Sequence, residues 1–170
     1  MLGNGGKELS EENAAQTAKA LNIIQPDFIR VHATGIKLES KLGEFVRDGS
    51  FTLQSEEEIV IEQKLFLQQL HEMDSYYVNE HIVNLLLEVR GNLRTEKQEM
   101  LSTIDRFLTL PPDERLLFTV GRRLNIFFRL DDLKKPKLHQ KAGESLQQIL
   151  SKNPHVDFAA LCNYVRQSQI

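Results

Sequence analysis

The residues most able to perform chemistry are two histidines with acidic neighbours, His71 and His81, and a lone cysteine, Cys162. A zinc helix of the H-E-x-x-H type needs a second histidine four residues after His71, but the chain has Ser75 there. On a continuous helix, His71 and His81 lie roughly two to three turns apart, which is too far to share one ion. The spacing therefore predicts no metal site in this segment.

Nucleophilic and phosphate-binding motifs are equally incomplete in this sequence. Cys162 shares a predicted apolar helix face with Leu161 and Val165, which is typical of a buried packing residue rather than a nucleophile. The glycine-rich segment 3–7 has neither the preceding strand nor the following Ser or Thr of a phosphate-binding loop. A G-x-S-x-G nucleophile motif is also missing. We therefore predict a protein that is not an enzyme, with no catalytic, cofactor-binding or metal-binding residues.

Charge is distributed unevenly along the chain. Residues 1–100 carry 10 Lys and Arg against 17 Asp and Glu, whereas residues 101–170 carry 11 against 7. The positive excess is concentrated between residues 121 and 141. Its basic residues are Arg122, Arg123, Arg129, Lys134, Lys135, Lys137 and Lys141. We predict that these residues, here called the basic cluster, form a surface that binds a partner.

A helical domain with a basic surface and no catalytic motif is typical of adaptors, regulatory or scaffold subunits, immunity-type inhibitors and bacterial effectors. We therefore predict a non-enzymatic protein–protein interaction module whose partner carries an acidic surface. The main alternative is that the basic cluster binds nucleic acid or an anionic membrane surface, because phosphate binding recruits several Lys and Arg to one surface.

Three other interpretations stay open at this stage. The basic cluster could pair with the acidic first half of the chain. The broad apolar face of residues 116–128 could be core or the seam of a homo-oligomer. An active site could be assembled only in three dimensions, where spacing along the chain does not reveal it.

Composition indicates a folded protein of the cytoplasm. The chain has 170 residues, of which 26% are charged and 41% apolar, and its net charge is −3. This composition excludes a disordered chain and any global attraction to nucleic acid. A run of about 18 apolar residues, long enough to span a membrane, is missing, as is an apolar signal segment. We expect a cytoplasmic location, and export without a cleavable signal is left open.

The hydrophobic periodicity predicts an all-α fold, a single compact bundle of seven to eight helices joined by short Pro- or Gly-marked turns. Residues 9–170 form one predicted domain, and residues 1–8 a flexible arm because of their glycines. Ser55 and Glu58 form a capping box, as do Thr95 and Gln98. The acids Glu56, Glu57 and Glu58, together with Glu62, are interpreted as a solvated face that offsets the helix dipole. The predicted helices cover residues 10–25, 26–49, 55–90 with a break near Asp74, 95–110, 112–128, 138–153 and 157–165.

Overall fold

The structure is a computed structural model, which describes residues 1–169. Within these residues the chain forms seven α-helices, one 3-10 helix and three short β-strands. The α-helices are α1 (Ser10–Ile24), α2 (Lys41–Asp48), α3 (Glu56–Gln69), α4 (Lys97–Leu108), α5 (Pro112–Arg123), α6 (Pro136–Lys152) and α7 (Phe158–Gln167). The strands are β1 (Phe28–Arg30), β2 (Tyr76–Val78) and β3 (Gly91–Asn92), and the 3-10 helix η1 is Leu130–Lys134. The prediction of a mostly helical protein is confirmed, but the fold is not purely all-α.

A small sheet replaces two segments that we predicted to be helical. β1 pairs in parallel with β2, and β2 pairs antiparallel with β3. Residues 28–40 and 76–92 are therefore strands, turns and loops rather than helices. The strand signal lies in the alternation of exposed Phe28 and Arg30 with buried Ile29 and Val31. This alternation covers only a few residues, and the apolar residues around it have a helix-like spacing. The sequence pattern as a whole therefore predicted a helix instead of a strand.

Local capping chemistry places several helix ends where the sequence predicts them. The Ser55 hydroxyl accepts a hydrogen bond from the Glu58 amide, and the Glu58 carboxylate accepts one from the Ser55 amide, so α3 begins with a complete capping box. α5 begins at Pro112, and Asp157 caps α7 through two backbone amides. The break before Asp74 is also confirmed, since α3 ends at Gln69. The second capping box is wrong, because α4 begins at Lys97 without a side-chain cap.

The N-terminal residues pack against the rest of the protein, unlike the predicted flexible arm. Leu2 is buried, its amide donates to the His32 carbonyl at 2.9 Å, and its carbonyl accepts from the Thr34 amide at 2.8 Å. Gly3 and Gly6 adopt positive φ angles of 80° and 63°. These conformations are easily adopted by glycine, so the same residues that suggested flexibility allow the chain to fold back.

The buried apolar side chains form one cluster to which most elements contribute. α1 packs against α3, α3 against α4, and α5 against both α6 and α7. Representative core residues are Ala14, Ile29, Phe66, Tyr77, Ile104, Phe118, Phe127 and Ala142. The apolar face of residues 116–128 contributes Leu117, Phe118 and Phe127 to this core. Those three side chains therefore pack inside the protein rather than forming a seam between copies.

Gly121 provides a test of packing in the core. A Cβ at this position would overlap the ring of Phe127, which is fully buried and stacked on Phe118 with 5.9 Å between ring centroids. We expect Gly121→Ala to lower the free energy of unfolding by about 1–3 kcal/mol, because the buried ring or the helix must shift to make room for the added methyl group. Gly143→Ala in α6 is the matched control: its Cβ meets no atom within 4 Å. That variant should gain about 0.5–1 kcal/mol. Urea denaturation distinguishes the two, and equal stabilities would contradict the packing argument.

Candidate functional site

The fold divides the basic cluster into a buried part and an exposed part. Arg122 and Arg123 lie in the last turn of α5 and are only 0% and 4% exposed. The structure therefore corrects their predicted position on a binding surface. The exposed members are Arg129, Lys134, Lys135, Lys137 and Lys141. The charge distribution along the sequence could not separate the two groups, because burial of Arg123 depends on a counter-charge from a distant segment.

Glu56 supplies that counter-charge. Arg123 binds its carboxylate in bidentate fashion, with Nε to Oε1 at 3.0 Å and Nη2 to Oε2 at 2.6 Å. Arg166 of α7 donates to the same Oε1 and, through Nε, to the Thr34 carbonyl at 3.1 Å. Burial raises the pKa of Glu56, but the guanidinium groups of Arg123 and Arg166 outweigh it and hold the pKa below its ordinary value. Glu56 is therefore an ionised, buried link between α3, α5 and α7.

This arrangement corrects the interpretation of Glu56 as part of a solvated face. Glu62 is buried as well, and its carboxylate accepts hydrogen bonds from the Gly3 amide and the Asn13 side chain. The arrangement around Glu56 also answers one of the open alternatives, since pairing of the basic cluster with the acidic first half holds for Arg123. The neighbouring Glu57 does lie towards solvent, with 44% of its side chain exposed. The first turn of α3 thus combines a buried structural acid with an exposed one.

Arg122 is buried with few partners. Its Nη2 donates to the Ile82 carbonyl at 2.9 Å, while Nε and Nη1 have no hydrogen-bond partner within residues 1–169. Its guanidinium carbon lies 5.6 Å from the centroid of the Phe128 ring. Burial, together with repulsion from Arg123, lowers the pKa of Arg122 to about 10. Arg122 and Arg123 are therefore structural groups that an approaching partner cannot reach.

The exposed lysines lie at the end of η1, directly after it, and in the first turns of α6. Lys137 and Lys141 are four residues apart, which places them on one side of α6. Lys134 is the last residue of η1, and the extended residue Lys135 separates it from α6; we call Lys134, Lys137 and Lys141 the lysine face. The first turn of α6 contains no acidic residue. Because the amino end of a helix carries a partial positive charge, lysines here add to that charge instead of offsetting it. This concentration of positive charge destabilises the amino end of the helix, and it favours the binding of an anionic partner there.

Intramolecular ion pairs reduce this charge only in part. Asp131 binds Lys134 at 2.7 Å, and Asp132 binds Lys135 at 2.7 Å. Within residues 1–169, neither Lys137 nor Lys141 forms an ion pair. Among the exposed members of the basic cluster, Lys137 and Lys141 on α6, like Arg129, therefore keep charges that no ion pair within residues 1–169 offsets.

A pocket of about 520 Å³ adjoins the lysine face. Leu110, Leu130 and Leu133 provide its apolar lining. Arg106 and Lys134 line it too, with 50% and 78% of their side chains exposed, and both bind one oxygen of Asp131, at 2.8 and 2.7 Å. The remaining lining residues are Thr109, Glu114 and His139, and His139 Nε2 lies 3.2 Å from Glu114 Oε1. The pocket thus combines three leucines with two exposed cations and the Glu114 carboxylate.

Sequence reasoning missed this pocket and the contribution of Arg106. Its lining comes from the end of α4, the start of α5, η1 and α6, which only the fold brings together. The local signal at Arg106, a basic residue in the last turn of a helix, is common and points to no site. By contrast, Arg129 lines a different cavity of about 430 Å³ with Tyr76, Glu88 and Phe128. The exposed members of the basic cluster therefore do not all line one cavity.

The residues considered for metal or nucleophilic chemistry lie apart from this site. Among residues 1–169, no three His, Cys, Asp or Glu side chains are grouped so that they could hold a metal ion. Cys162 is buried as predicted, and burial raises the pKa of its thiol to about 12. A thiol with such a pKa is protonated at neutral pH, which fits a packing role.

Comparisons with protein-family models, with curated proteins and with solved structures gave no match to this chain. In the part of the chain that the structure describes, every helix is too short or too polar to cross a membrane.

Proposed function

We propose that this protein is a non-enzymatic protein–protein interaction module that binds an acidic segment of a partner protein on the lysine face. The observation that carries the proposal is the exposure of Lys134, Lys137 and Lys141 around the amino end of α6, where Lys134 also lines a partly apolar pocket. Partner carboxylates would meet both the lysine charges and the helix dipole there.

Two physical contributions support binding at this place. Complementary charge accelerates association and selects against basic partners. Affinity needs a second contribution, because exposed ion pairs are worth only about 0–1 kcal/mol each. Leu110, Leu130 and Leu133 supply apolar surface for that purpose.

The alternative partner classes, nucleic acid and anionic membranes, gain less support from the site. Arginine is the side chain best suited to bidentate phosphate contacts. Arg122 and Arg123, which contributed to that alternative, are both buried. The apolar lining beside Lys134 also suits a protein side chain better than a phosphate backbone.

The test is charge reversal restricted to exposed residues. The variant Lys134→Glu/Lys137→Glu/Lys141→Glu leaves Arg122 and Arg123 intact, and Lys19→Glu/Lys41→Glu/Arg94→Glu makes the same charge change at exposed positions elsewhere. Circular dichroism must show both variants folded. In affinity capture from nuclease-treated lysate of the producing cells, we expect the wild type and the control to retain one and the same partner. The lysine-face variant should lose it at least about tenfold, as expected when several favourable charge contacts become repulsive.

Other outcomes would redirect or overturn the proposal. Capture that disappears with nuclease, or binding to phosphatidylserine vesicles that falls steeply with salt, would favour the phosphate-bearing alternatives. Equal capture by all three proteins would show that the lysine face takes no part in binding.

A further inference from the structure

We infer that the pocket beside the lysine face receives an apolar side chain of the partner, and that an adjacent partner carboxylate binds between Arg106 and Lys134. This inference rests on the proposed function and specifies the chemistry of the partner. The segment that fits carries one or two side chains of the size of leucine, flanked by Asp or Glu.

The apolar part of the inference follows from the lining of the pocket. Leu130 is 5% exposed, and Leu110 and Leu133 are partly buried beside it. The volume of about 520 Å³ falls within the roughly 300–1,000 Å³ typical of sites that enclose small ligands. It is therefore large enough for an aliphatic side chain, whose burial is favourable because it removes apolar surface from water.

The acidic part follows from the way Asp131 is bound. One oxygen of its carboxylate is shared by Arg106 and Lys134, so a single negative charge faces two positive ones. Asp131 itself is 58% exposed, and pairs of this kind contribute little stability, since solvent screens them. A partner carboxylate can therefore join or replace Asp131 at small cost, and Asp131 marks the position that this carboxylate takes.

The remaining charges determine how the segment lies. Glu114 and His139 line the pocket as well, and the Glu114 carboxylate repels an acidic segment. Lys137 and Lys141 lie two residues before and after His139 on α6, about 200° around the helix, so they lie on the side of α6 away from the pocket. We therefore expect the partner carboxylate beside the pocket to contact Arg106 and Lys134, and the rest of the segment to lie away from Glu114.

Three blocked peptides test this inference by NMR titration of the full-length, ¹⁵N-labelled protein. The probe is the hexapeptide EELLEE, and the matched peptides are EESSEE, which keeps the charge, and QQLLQQ, which keeps the leucines. We expect EELLEE to shift the amide signals of Thr109, Leu133 and His139. It should bind at least about tenfold more tightly than EESSEE, because a buried leucine contributes well over one kilocalorie per mole. QQLLQQ should bind more weakly than EELLEE.

Two variants separate the pocket from the lysine face. Asp131→Asn removes the competing carboxylate and should tighten EELLEE binding roughly twofold to fivefold. Thr109→Trp places a large ring on an exposed pocket residue; it should abolish the preference for EELLEE while leaving EESSEE binding unchanged.

The outcomes distinguish failure of this inference from failure of the proposed function. Equal binding of EELLEE and EESSEE, or an EELLEE affinity that Thr109→Trp leaves unchanged, overturns the pocket inference alone. Failure of all three peptides to bind overturns it too, while the lysine face still stands or falls by the capture experiment. Binding of EELLEE in the pocket, together with equal capture by the wild type and the lysine-face variant, would overturn the proposed role of all three lysines in partner capture.

Discussion

Replacement of Glu56 by glutamine is expected to lower the free energy of unfolding by about 3–5 kcal/mol, because it leaves buried guanidinium groups without their carboxylate. Arg123 and Arg166 both bind Glu56, and Arg122 lies in the same buried region. The glutamine side chain keeps the size of glutamate but supplies one neutral oxygen in place of a delocalised negative charge. For a chain of this length, the loss corresponds to a decrease of about 6–20 °C in Tm.

Glu57→Gln is the matched control, one residue further along the same helix. Its carboxylate lies 3.1 Å from Nε of Arg115, but 44% of the side chain is exposed. Solvent screening limits such a pair to about 0–1 kcal/mol. Urea denaturation of both variants measures the difference, and similar losses for the two would show that the buried carboxylate is not the dominant contribution.

The pH dependence of stability gives an independent check on Glu56. Its pKa in the folded protein lies below the ordinary value, which the unfolded chain retains. The ionised group therefore stabilises the fold above the unfolded pKa of about 4.3, and this contribution is lost as pH falls towards the folded pKa. The wild type should lose stability on acidification from about pH 5 downwards. Glu56→Gln should show a shallower decrease over that range, and an identical slope would contradict the assignment.

Several helix ends could be predicted because the interactions that define them are local. The capping box of Ser55 and Glu58, Pro112 at the start of α5 and Asp157 before α7 each act within three residues of the end that they define. The left-handed residue Gln25, just before Pro26, ends α1 for the same kind of reason. These local interactions do not depend on contacts with distant parts of the chain.

The sheet and the site could not be predicted in this way, because they depend on contacts between distant segments. The Asn84 side chain accepts from the Ala33 amide and donates to the Val31 carbonyl, which fixes the β1 segment beside the turns that follow β2. The inward direction of Arg123 likewise requires Glu56, 67 residues earlier in the chain. Charge counting located a basic segment correctly but could not tell the side chains that face Glu56 from those that face water.

Replacement by methionine is expected to change the free energy of unfolding very differently at the adjacent arginines Arg122 and Arg123. Arg123→Met removes both hydrogen bonds to Oε1 and Oε2 of Glu56 and a third to the Val83 carbonyl at 3.0 Å. It leaves a buried carboxylate with Arg166 as its remaining ion-pair partner, which should cost roughly 3–5 kcal/mol. Arg122→Met removes one hydrogen bond, to the Ile82 carbonyl, and two buried donors without a partner within residues 1–169.

Loss of the Arg122 charge also removes its repulsion with Arg123, one of the causes that lower the pKa of Arg122. A methionine of similar length fills most of the same space, so we expect the free energy of unfolding to stay within about 1 kcal/mol of the wild type or to rise. Thermal and urea denaturation of the two single variants measure this contrast directly. Equal destabilisation would mean that Arg122 has acceptors other than Ile82. A tolerated Arg123→Met would mean that Arg166 alone can satisfy Glu56. The contrast therefore tests whether burial of these arginines depends on the carboxylate of Glu56 or only on the packing of α5.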